Sequence, residues 1–221
     1  MRSPQKKDSY IPALGFHFLT PFYDTIVRAT VPERAFKQAL IKQAAVAAGD
    51  QVLDLGTGTG TLAIWLKQMQ PQAAVSGIDI DPTILAKSRK KAEASAVSIH
   101  FQQASALQLP FPDAFFDRVA SSMFFHHLTG NHKARAFEEL FRVMKPGGEL
   151  HIADWGRPAN IVMRVLFLSV QLVDGFAATR DNVMGRLPTL IEQAGFGEVE
   201  ERRTFCTLFG SLSLYSAKKP E

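Results

Sequence analysis

The part of the sequence with the clearest chemical character is a glycine-rich turn, Gly56-Thr57-Gly58-Thr59-Gly60. The turn follows the apolar run 51–55 and precedes a helical pattern. Glycine lets a backbone bend sharply and approach a ligand closely. A purely structural turn is the alternative interpretation, but a strand, a glycine turn and a helix in this order are typical of a cofactor site.

Two details separate this turn from a dinucleotide-binding loop. The dinucleotide fingerprint has glycine or alanine three residues after its second glycine, whereas this chain has Thr61 there and its third glycine one position earlier. Asp54 precedes the turn, where its negative charge would repel a pyrophosphate and attract a cationic amino group. The residues expected to bind a cofactor without a pyrophosphate are Asp54, Gly56, Thr57, Gly58 and Gly60.

The adjacent residues His126 and His127 are the candidate catalytic residues. The ordinary pKa of histidine lies near neutrality, which suits a general base. Because adjacent side chains point in different directions, we expect at most one of the two to face a reaction pocket. In the alternative interpretation one histidine packs in the interior and the other contacts solvent or the cofactor. Two histidines alone do not make a metal site, so no metal is expected.

The elements that must position these residues alternate between strands and helices, which is typical of βαβ units. Strands are predicted at 51–55, 74–80, 97–101, 116–121 and 149–153. Helices are predicted at 32–48, directly after the glycine turn, from Pro82 onward, and at 133–144, 161–173 and 187–194. A helix stop is predicted at 146–148 and a polar turn at 179–182. Strands 198–205 and 207–217 lie too close together for a crossover, so they should form an antiparallel hairpin.

Four motifs occur in order along the chain: VLDLGTGTG at 52–60, GIDID at 77–81, LPFPD with SSMFFHHL at 109–128, and VMKPGGEL at 143–150. Together they resemble the class I S-adenosylmethionine (SAM) dependent methyltransferases, in particular the branch with the ubiquinone and menaquinone C-methyltransferases. The resemblance covers about residues 45–155. It implies an α/β fold with a Rossmann-like, seven-stranded, mostly parallel sheet, helices on both faces and an antiparallel C-terminal hairpin strand.

The resemblance also implies SAM as the cofactor and S-adenosylhomocysteine as its product. By analogy with the family, Asp79 binds the ribose hydroxyls and Ile80 lies against the adenine. The chemistry agrees, because a carboxylate at a strand end can accept from both hydroxyls of a diol. Asp79 could instead be a helix N-cap, although Asp81 is better placed for that role just before Pro82.

The chain departs from the family pattern at Ser105, where the branch usually has an acidic residue that binds the adenine amino group. A hydroxyl accepts a weaker hydrogen bond than a carboxylate does. Adenine binding is therefore expected to depend more on the backbone N–H groups of Ala106 and Leu107. Tyr23 and Ser121 complete the set of residues expected to bind the cofactor.

Two apolar segments are expected to cover the site. Residues 1–35 are predicted to form an N-terminal helical arm or lid, and residues 36–221 the methyltransferase domain, with a helical lid insertion at 155–185. The insertion and the arm would close an apolar pocket over the sulfonium. The alternative is that Val165, Leu168 and Leu172 pack on the sheet as core.

The composition of the chain limits the classes of methyl acceptor and partner that are expected. The chain has 221 residues and a formal net charge of +4, with scattered basic residues, so no nucleic acid partner is expected. Its single cysteine cannot form an intrachain disulfide, which favours the cytoplasm. No apolar segment reaches the roughly 20 residues of a membrane span, while peripheral membrane contact stays open. A small apolar or amphiphilic acceptor is favoured; nucleic acid, protein or a non-catalytic SAM-binding role are the alternatives.

Overall fold

A seven-stranded sheet organises residues 33–221, the part of the chain that the computed structural model describes. The strands are β1 (Gln51–Leu55), β2 (Ala74–Asp79), β3 (His100–Gln103), β4 (Phe116–Ser122), β5 (Met144–Trp155), β6 (Gly197–Thr207) and β7 (Gly210–Lys218). Their order across the sheet is β3-β2-β1-β4-β5-β7-β6. Strands β1 to β5 pair in parallel, and β7 is antiparallel to both β5 and β6. The predicted fold class and the reversed hairpin strand are confirmed.

Helices cover both faces of this sheet. Within the described residues they are α1 (Glu33–Ala44), α2 (Thr61–Met69), α3 (Pro82–Ala94), α4 (Gly130–Val143), α5 (Ile161–Asp174), α6 (Phe176–Val183) and α7 (Leu187–Gln193), with a 3₁₀ turn at Phe125–His127. Helices α1, α2, α3 and α5 pack on the face that contains Val52. Helices α4 and α7 pack on the face that contains Leu53. Adjacent residues of β1 therefore belong to two different cores, as expected for a strand buried on both sides.

The junction between α4 and β5 differs from the prediction. The helix ends at Val143 and the strand begins directly at Met144, so the Pro-Gly-Gly run lies inside the strand and does not separate it from the helix. The pairing of β4 with β5 shifts between Phe116, which faces Met144, and Arg118, which faces Glu149. This irregularity accommodates the proline, because a bulge tolerates a residue that cannot donate to the ladder.

Strand β3 begins at His100, three residues later than predicted. The N–H of Val97 donates to the Ala92 carbonyl of α3 at 3.1 Å, and Ala96 has a φ of +53°. These residues close the end of the helix, so they cannot also extend the strand.

The segment 179–182, predicted as a polar turn, lies in helix α6. Thr179, Asp181 and Asn182 are buried there, whereas Arg180 is exposed. The Thr179 hydroxyl donates to the Gly175 carbonyl at 2.8 Å, and the Asn182 amide donates to the Trp155 carbonyl at 2.8 Å. Polarity here reflects buried hydrogen bonds and not exposure to water.

Helix α5 forms where it was predicted, but its inner face is not the one proposed as core. Phe167 and Val170 are buried against the sheet, whereas Val165, Leu168 and Leu172 are exposed. The alternative in which these last three residues pack on the sheet is therefore wrong.

Candidate functional site

The glycine-rich turn forms the first wall of the site, at the carboxyl end of β1. Gly56, Gly58 and Gly60 have φ values of +69°, +54° and +75°, in the left-handed region that favours glycine. The Thr57 N–H donates to the Ile78 carbonyl of β2 at 2.8 Å. The turn is thus held by the neighbouring strand as well as by its own backbone.

Asp54 lies beneath this turn and is almost fully buried. One of its oxygens accepts from the Thr57 hydroxyl at 2.6 Å and from the Ala63 N–H at 3.1 Å. Burial raises the pKa of Asp54 to about 6, although the hydrogen bond from Thr57 opposes this shift. Asp54 therefore ties the turn to α2, and its contact with a cationic amino group stays a prediction.

Asp79 joins the glycine turn to the loop after β2. One carboxylate oxygen accepts from the Gly58 N–H at 3.0 Å, and the other accepts from the Asp81 N–H at 3.0 Å. Asp81 itself caps α3, accepting from the Thr83 N–H at 2.7 Å. The N-cap alternative for Asp79 is therefore wrong. Each carboxylate oxygen of Asp79 keeps a lone pair that can accept from a diol.

The predicted adenine side of the site contains Ile80 and the turn at Ser105. Ile80 is 41% exposed, so its side chain presents an open apolar surface. The Ser105 hydroxyl accepts from the Leu107 N–H at 3.2 Å. Ser105 therefore shapes its own turn, and the Leu107 N–H expected to bind adenine already has a partner. Ala106, whose N–H was also expected to bind adenine, is mostly buried.

Of two further residues predicted to bind the cofactor, one is buried beside the site and the other lies outside the part of the chain that the structure describes. Ser121 is completely buried, and its hydroxyl donates to the Leu55 carbonyl at 2.9 Å, which joins the ends of β4 and β1. Tyr23 lies outside the described residues. A direct role in cofactor binding stays a prediction for both.

Asp154, near the end of β5, organises the turn that follows β4. Its side chain is fully buried. One oxygen accepts from the N–H groups of Phe124 and Phe125 at 3.1 and 2.7 Å. The other accepts from Nδ1 of His126 at 2.7 Å and from the Trp155 N–H at 2.7 Å. This carboxylate therefore sets both the backbone of the 3₁₀ turn and the orientation of the His126 ring.

His126 lies between two carboxylates. Its Nδ1 donates to Asp154, and its Nε2 lies 3.7 Å from an oxygen of Asp174. Burial lowers the pKa of His126, but the two carboxylates outweigh it, so the pKa is raised above its ordinary value. The pKa of Asp154 is lowered in spite of its own burial, mainly by the charge of His126. The ion pair of protonated His126 with Asp154 therefore persists to a higher pH than the ordinary pKa of histidine would allow.

His127 approaches the same carboxylate. Its Nδ1 lies 3.8 Å from the second oxygen of Asp174, and the centroids of the two imidazole rings are 4.0 Å apart. The expectation that the rings point in different directions is wrong, because the 3₁₀ turn brings both to Asp174. Partial burial and the adjacent His126 charge lower the pKa of His127, so its ring is neutral. Its side chain is 33% exposed, against 4% for His126.

Phe124 connects the histidine turn to the glycine turn. A Cβ placed on Gly56 would lie 2.3 Å from Cδ2 of Phe124, so the aromatic ring lies directly against the turn. The histidines and the glycine turn therefore lie together at the carboxyl ends of the parallel strands. Open α/β sheets bind their ligands at this edge.

Asp154 and Asp174 are functional residues without a role predicted from the sequence. Asp154 lies at the carboxyl end of a predicted strand, the signal that singled out Asp79. Asp174 is the first acidic residue after nineteen residues without one, which is a weaker signal. Ligand atoms of His126, His127 and Asp174 lie within 4.8 Å of one another, a donor set that divalent transition metals accept. The raised pKa of His126 favours an ion pair between its protonated ring and the carboxylates over metal binding. The absence of a metal from this site stays a prediction.

Comparison with known proteins identifies the family. A family model described as a methyltransferase domain matches residues 52–148. The demethylmenaquinone methyltransferase of Thermus thermophilus is 37% identical to the chain over 161 residues, which are 70% of this chain and 72% of that protein. The chain belongs to the class I SAM-dependent methyltransferases, in the UbiE-like branch.

Two further matches agree with this SAM-dependent methyltransferase assignment. The ubiquinone/menaquinone biosynthesis C-methyltransferase UbiE of Pseudomonas fluorescens is 31% identical, over 84% of this methyltransferase and 72% of that protein. The crystal structure of a SAM-dependent methyltransferase from Aquifex aeolicus has a TM-score of 0.65 at 21% identity, covering 88% of this chain and 97% of that one. The second match shows the common fold.

SAM is the cofactor of this methyltransferase, and the geometry of the glycine turn fits it. A Cβ on Gly58 would meet no atom within 4 Å, so the backbone of the turn borders open space. Asp79 and Ile80 lie beside that turn with acceptor capacity and apolar surface available. Among residues 33–221 of the methyltransferase, no helix has the length and apolar character needed to cross a membrane.

Replacing Gly56 by alanine should abolish SAM binding. The new Cβ would collide with Phe124 and would occupy a left-handed backbone position. Gly49→Ala is the matched control, because Gly49 has a φ of +86° and nothing within 4 Å of its Cβ. Calorimetry should show unchanged SAM affinity for Gly49→Ala, with a stability loss of roughly 1–2 kcal/mol. Normal affinity in Gly56→Ala would contradict the described turn.

Replacing Asp79 by alanine should weaken SAM binding by about one to two decades, since charge-assisted hydrogen bonds contribute roughly 1.5–3 kcal/mol. Asp81→Ala should leave SAM affinity unchanged and lower the free energy of unfolding by about 0.5–2 kcal/mol, because it removes only the α3 cap. Titration calorimetry and denaturant unfolding separate the two effects. Equal SAM affinity in both variants would refute the ribose assignment of Asp79.

Proposed function

We propose that this methyltransferase methylates a ring carbon of a small apolar quinol. The observation that carries the proposal is the Asp154–His126 pair next to the glycine turn, which offers an oriented base where the acceptor must bind. Two of its relatives are named demethylmenaquinone methyltransferase and ubiquinone/menaquinone biosynthesis C-methyltransferase, which supports a quinone-type acceptor. A cytoplasmic location is part of the proposal and agrees with the free, exposed Cys206.

Carbon methylation of a hydroxylated ring requires proton removal. When bound, SAM supplies a methyl group that its positive sulfonium activates. Loss of the hydroxyl proton from the acceptor raises electron density on the neighbouring ring carbon, which forms the new C–C bond as the C–S bond breaks. The proton on that carbon then moves to the ring oxygen, which restores aromaticity and leaves one proton on the base. The base must therefore accept a proton from an acceptor that is otherwise a weak nucleophile.

His126 is the residue best suited to this task. Asp154 holds the Nδ1–H of His126, so the lone pair of the neutral ring lies on Nε2, on the side of Asp174. The raised pKa of His126 makes it a stronger base than a free imidazole. An oriented base whose second nitrogen is held by a buried carboxylate follows the logic of the catalytic triads.

His127 has a different role in this proposal. Its lowered pKa makes it a weak base, so it stays neutral while His126 gains and loses a proton. A neutral ring whose centroid lies 4.0 Å from that of His126 can border the acceptor without adding a second positive charge next to the sulfonium. His127 is thus a positioning residue.

A direct test compares acceptors by the release of S-adenosylhomocysteine. A demethylated menaquinol with a short side chain should be turned over, whereas transfer RNA and an unfolded protein should not. NMR of the product should show the methyl group on carbon and not on oxygen. Activity should survive chelation by EDTA, since no step uses a metal. Loss of turnover on chelation, with recovery on adding a divalent ion, would contradict the metal-free reaction.

The pH dependence identifies the base. Because His126 must be unprotonated to act, kcat/KM should rise with pH through an apparent pKa above the usual 6.5 of histidine. His126→Asn should lower kcat/KM by about 10² to 10⁴-fold and remove this rise. His127→Asn should lower it less and keep the rise, and Asp154→Asn should move the rise to lower pH. An unchanged rise in His126→Asn would exclude His126 as the base.

A further inference from the structure

The outer face of helix α5 is apolar, although it points away from the sheet. The helix buries Phe167 and Val170 on its inner side. On its opposite side four large side chains recur at helical spacing and are 75%, 58%, 39% and 71% exposed: Ile161, Val165, Leu168 and Leu172. Spacings of four, three and four residues place them in one stripe. We call these four residues the outer stripe.

Exposed apolar side chains continue beyond the outer stripe. Val162, Phe176 and Met184 in the same segment are 58%, 54% and 48% exposed. Soluble monomers rarely expose a contiguous apolar surface of this kind without a binding partner. The segment 161–184 therefore has the composition of a docking surface.

The charges within and next to the segment 161–184 indicate the chemistry of the partner. Arg157, Arg180 and Arg186 are exposed, and Arg186 lies 3.9 Å from Asp181. The two acidic residues of the segment turn inward: Asp174 faces the histidines, and Asp181 lies 3.7 Å from the buried Lys133. The exposed charges in and beside the segment are therefore basic, and together with the exposed apolar side chains they complement an anionic lipid headgroup layer.

The area of the outer side of α5 is too small for a stable dimer with a second copy of the chain. A helix of 14 residues is about 21 Å long and about 10 Å wide, so it presents on the order of 200 Å² on one side. A stable dimer needs about 800 Å² from each partner. Binding to a lipid surface does not need a minimum area of this size, because each apolar side chain that enters the lipid adds separately to the binding free energy.

We propose that the outer stripe docks this methyltransferase on an anionic lipid bilayer. The same helix places Asp174 beside both histidines on its inner side, so one element connects the lipid surface with the reaction site. An apolar acceptor that resides in the bilayer would then reach His126 along α5 without crossing water. This inference rests on the proposed function for the identity of the acceptor, but not for the docking itself.

Flotation of the full chain with vesicles tests the docking. The protein should float with vesicles that contain one-third phosphatidylglycerol and bind weakly to pure phosphatidylcholine. Val165→Ser combined with Leu172→Ser should weaken binding at least about tenfold, since it removes two apolar side chains. Arg157→Gln and Arg180→Gln should each weaken it about fivefold. Met69→Ser, at a position that is 65% exposed on α2, is the matched control and should bind as the wild type does.

Activity measurements separate this inference from the proposed function. Turnover of a water-soluble quinol should be unchanged in the Val165/Leu172 variant, while turnover of a long-chain quinol in vesicles should fall. Vesicle binding without any quinol turnover would support the docking and refute the proposed function. Wild-type vesicle binding by the double variant would overturn the docking. The docking would also be overturned if the wild type did not float with vesicles but formed a dimer in analytical ultracentrifugation, and the double substitution dissociated that dimer.

Discussion

The candidate site depends on the burial of one carboxylate. Asp154 has no exposed surface, and a lone ionised carboxylate in such a place costs several kcal/mol. Its donors are the backbone of the turn after β4, its own neighbour Trp155, the His126 ring and the Asn182 amide. Because each donor offsets part of the cost of burial, the turn and the ring are held where Asp154 requires them. The position of both histidines thus follows from a residue on a different strand.

The same arrangement occurs three times along this edge of the sheet. Asp54 on β1 accepts from the backbone of α2, Asp79 on β2 accepts from the glycine turn, and Asp154 on β5 accepts from the 3₁₀ turn. In each case a carboxylate at or near the carboxyl end of a strand accepts from the backbone N–H of a turn or helix at that edge. The contact of Phe124 with Gly56 then joins the histidine turn to the glycine turn. The site for SAM and the proposed base are in this way parts of one rigid edge.

The sequence predicts the strands and the glycine turn well, because apolar runs and glycine positions are local signals. It does not predict features that depend on distant partners. Pro146 fits within β5 only because the pairing with β4 is irregular, and Asn182 is helical and buried because it bonds to Trp155. The convergence of His126 and His127 on Asp174 needs the 3₁₀ turn that Asp154 stabilises. Leu172 is exposed because the opposite side of α5 packs on the sheet. The periodicity of the sequence alone does not indicate which side of the helix that is.

The protonation state of His126 tests this account most directly. Nitrogen-15 NMR of the imidazole, followed over pH in the wild type and in Asp154→Asn, measures the pKa of this ring and identifies the nitrogen that keeps the proton. We expect a His126 pKa above 6.5 in the wild type, a neutral form protonated on Nδ1, and a clear fall of the pKa in Asp154→Asn. A His126 pKa at or below 6.5 in the wild type, or one that does not change in Asp154→Asn, would contradict it.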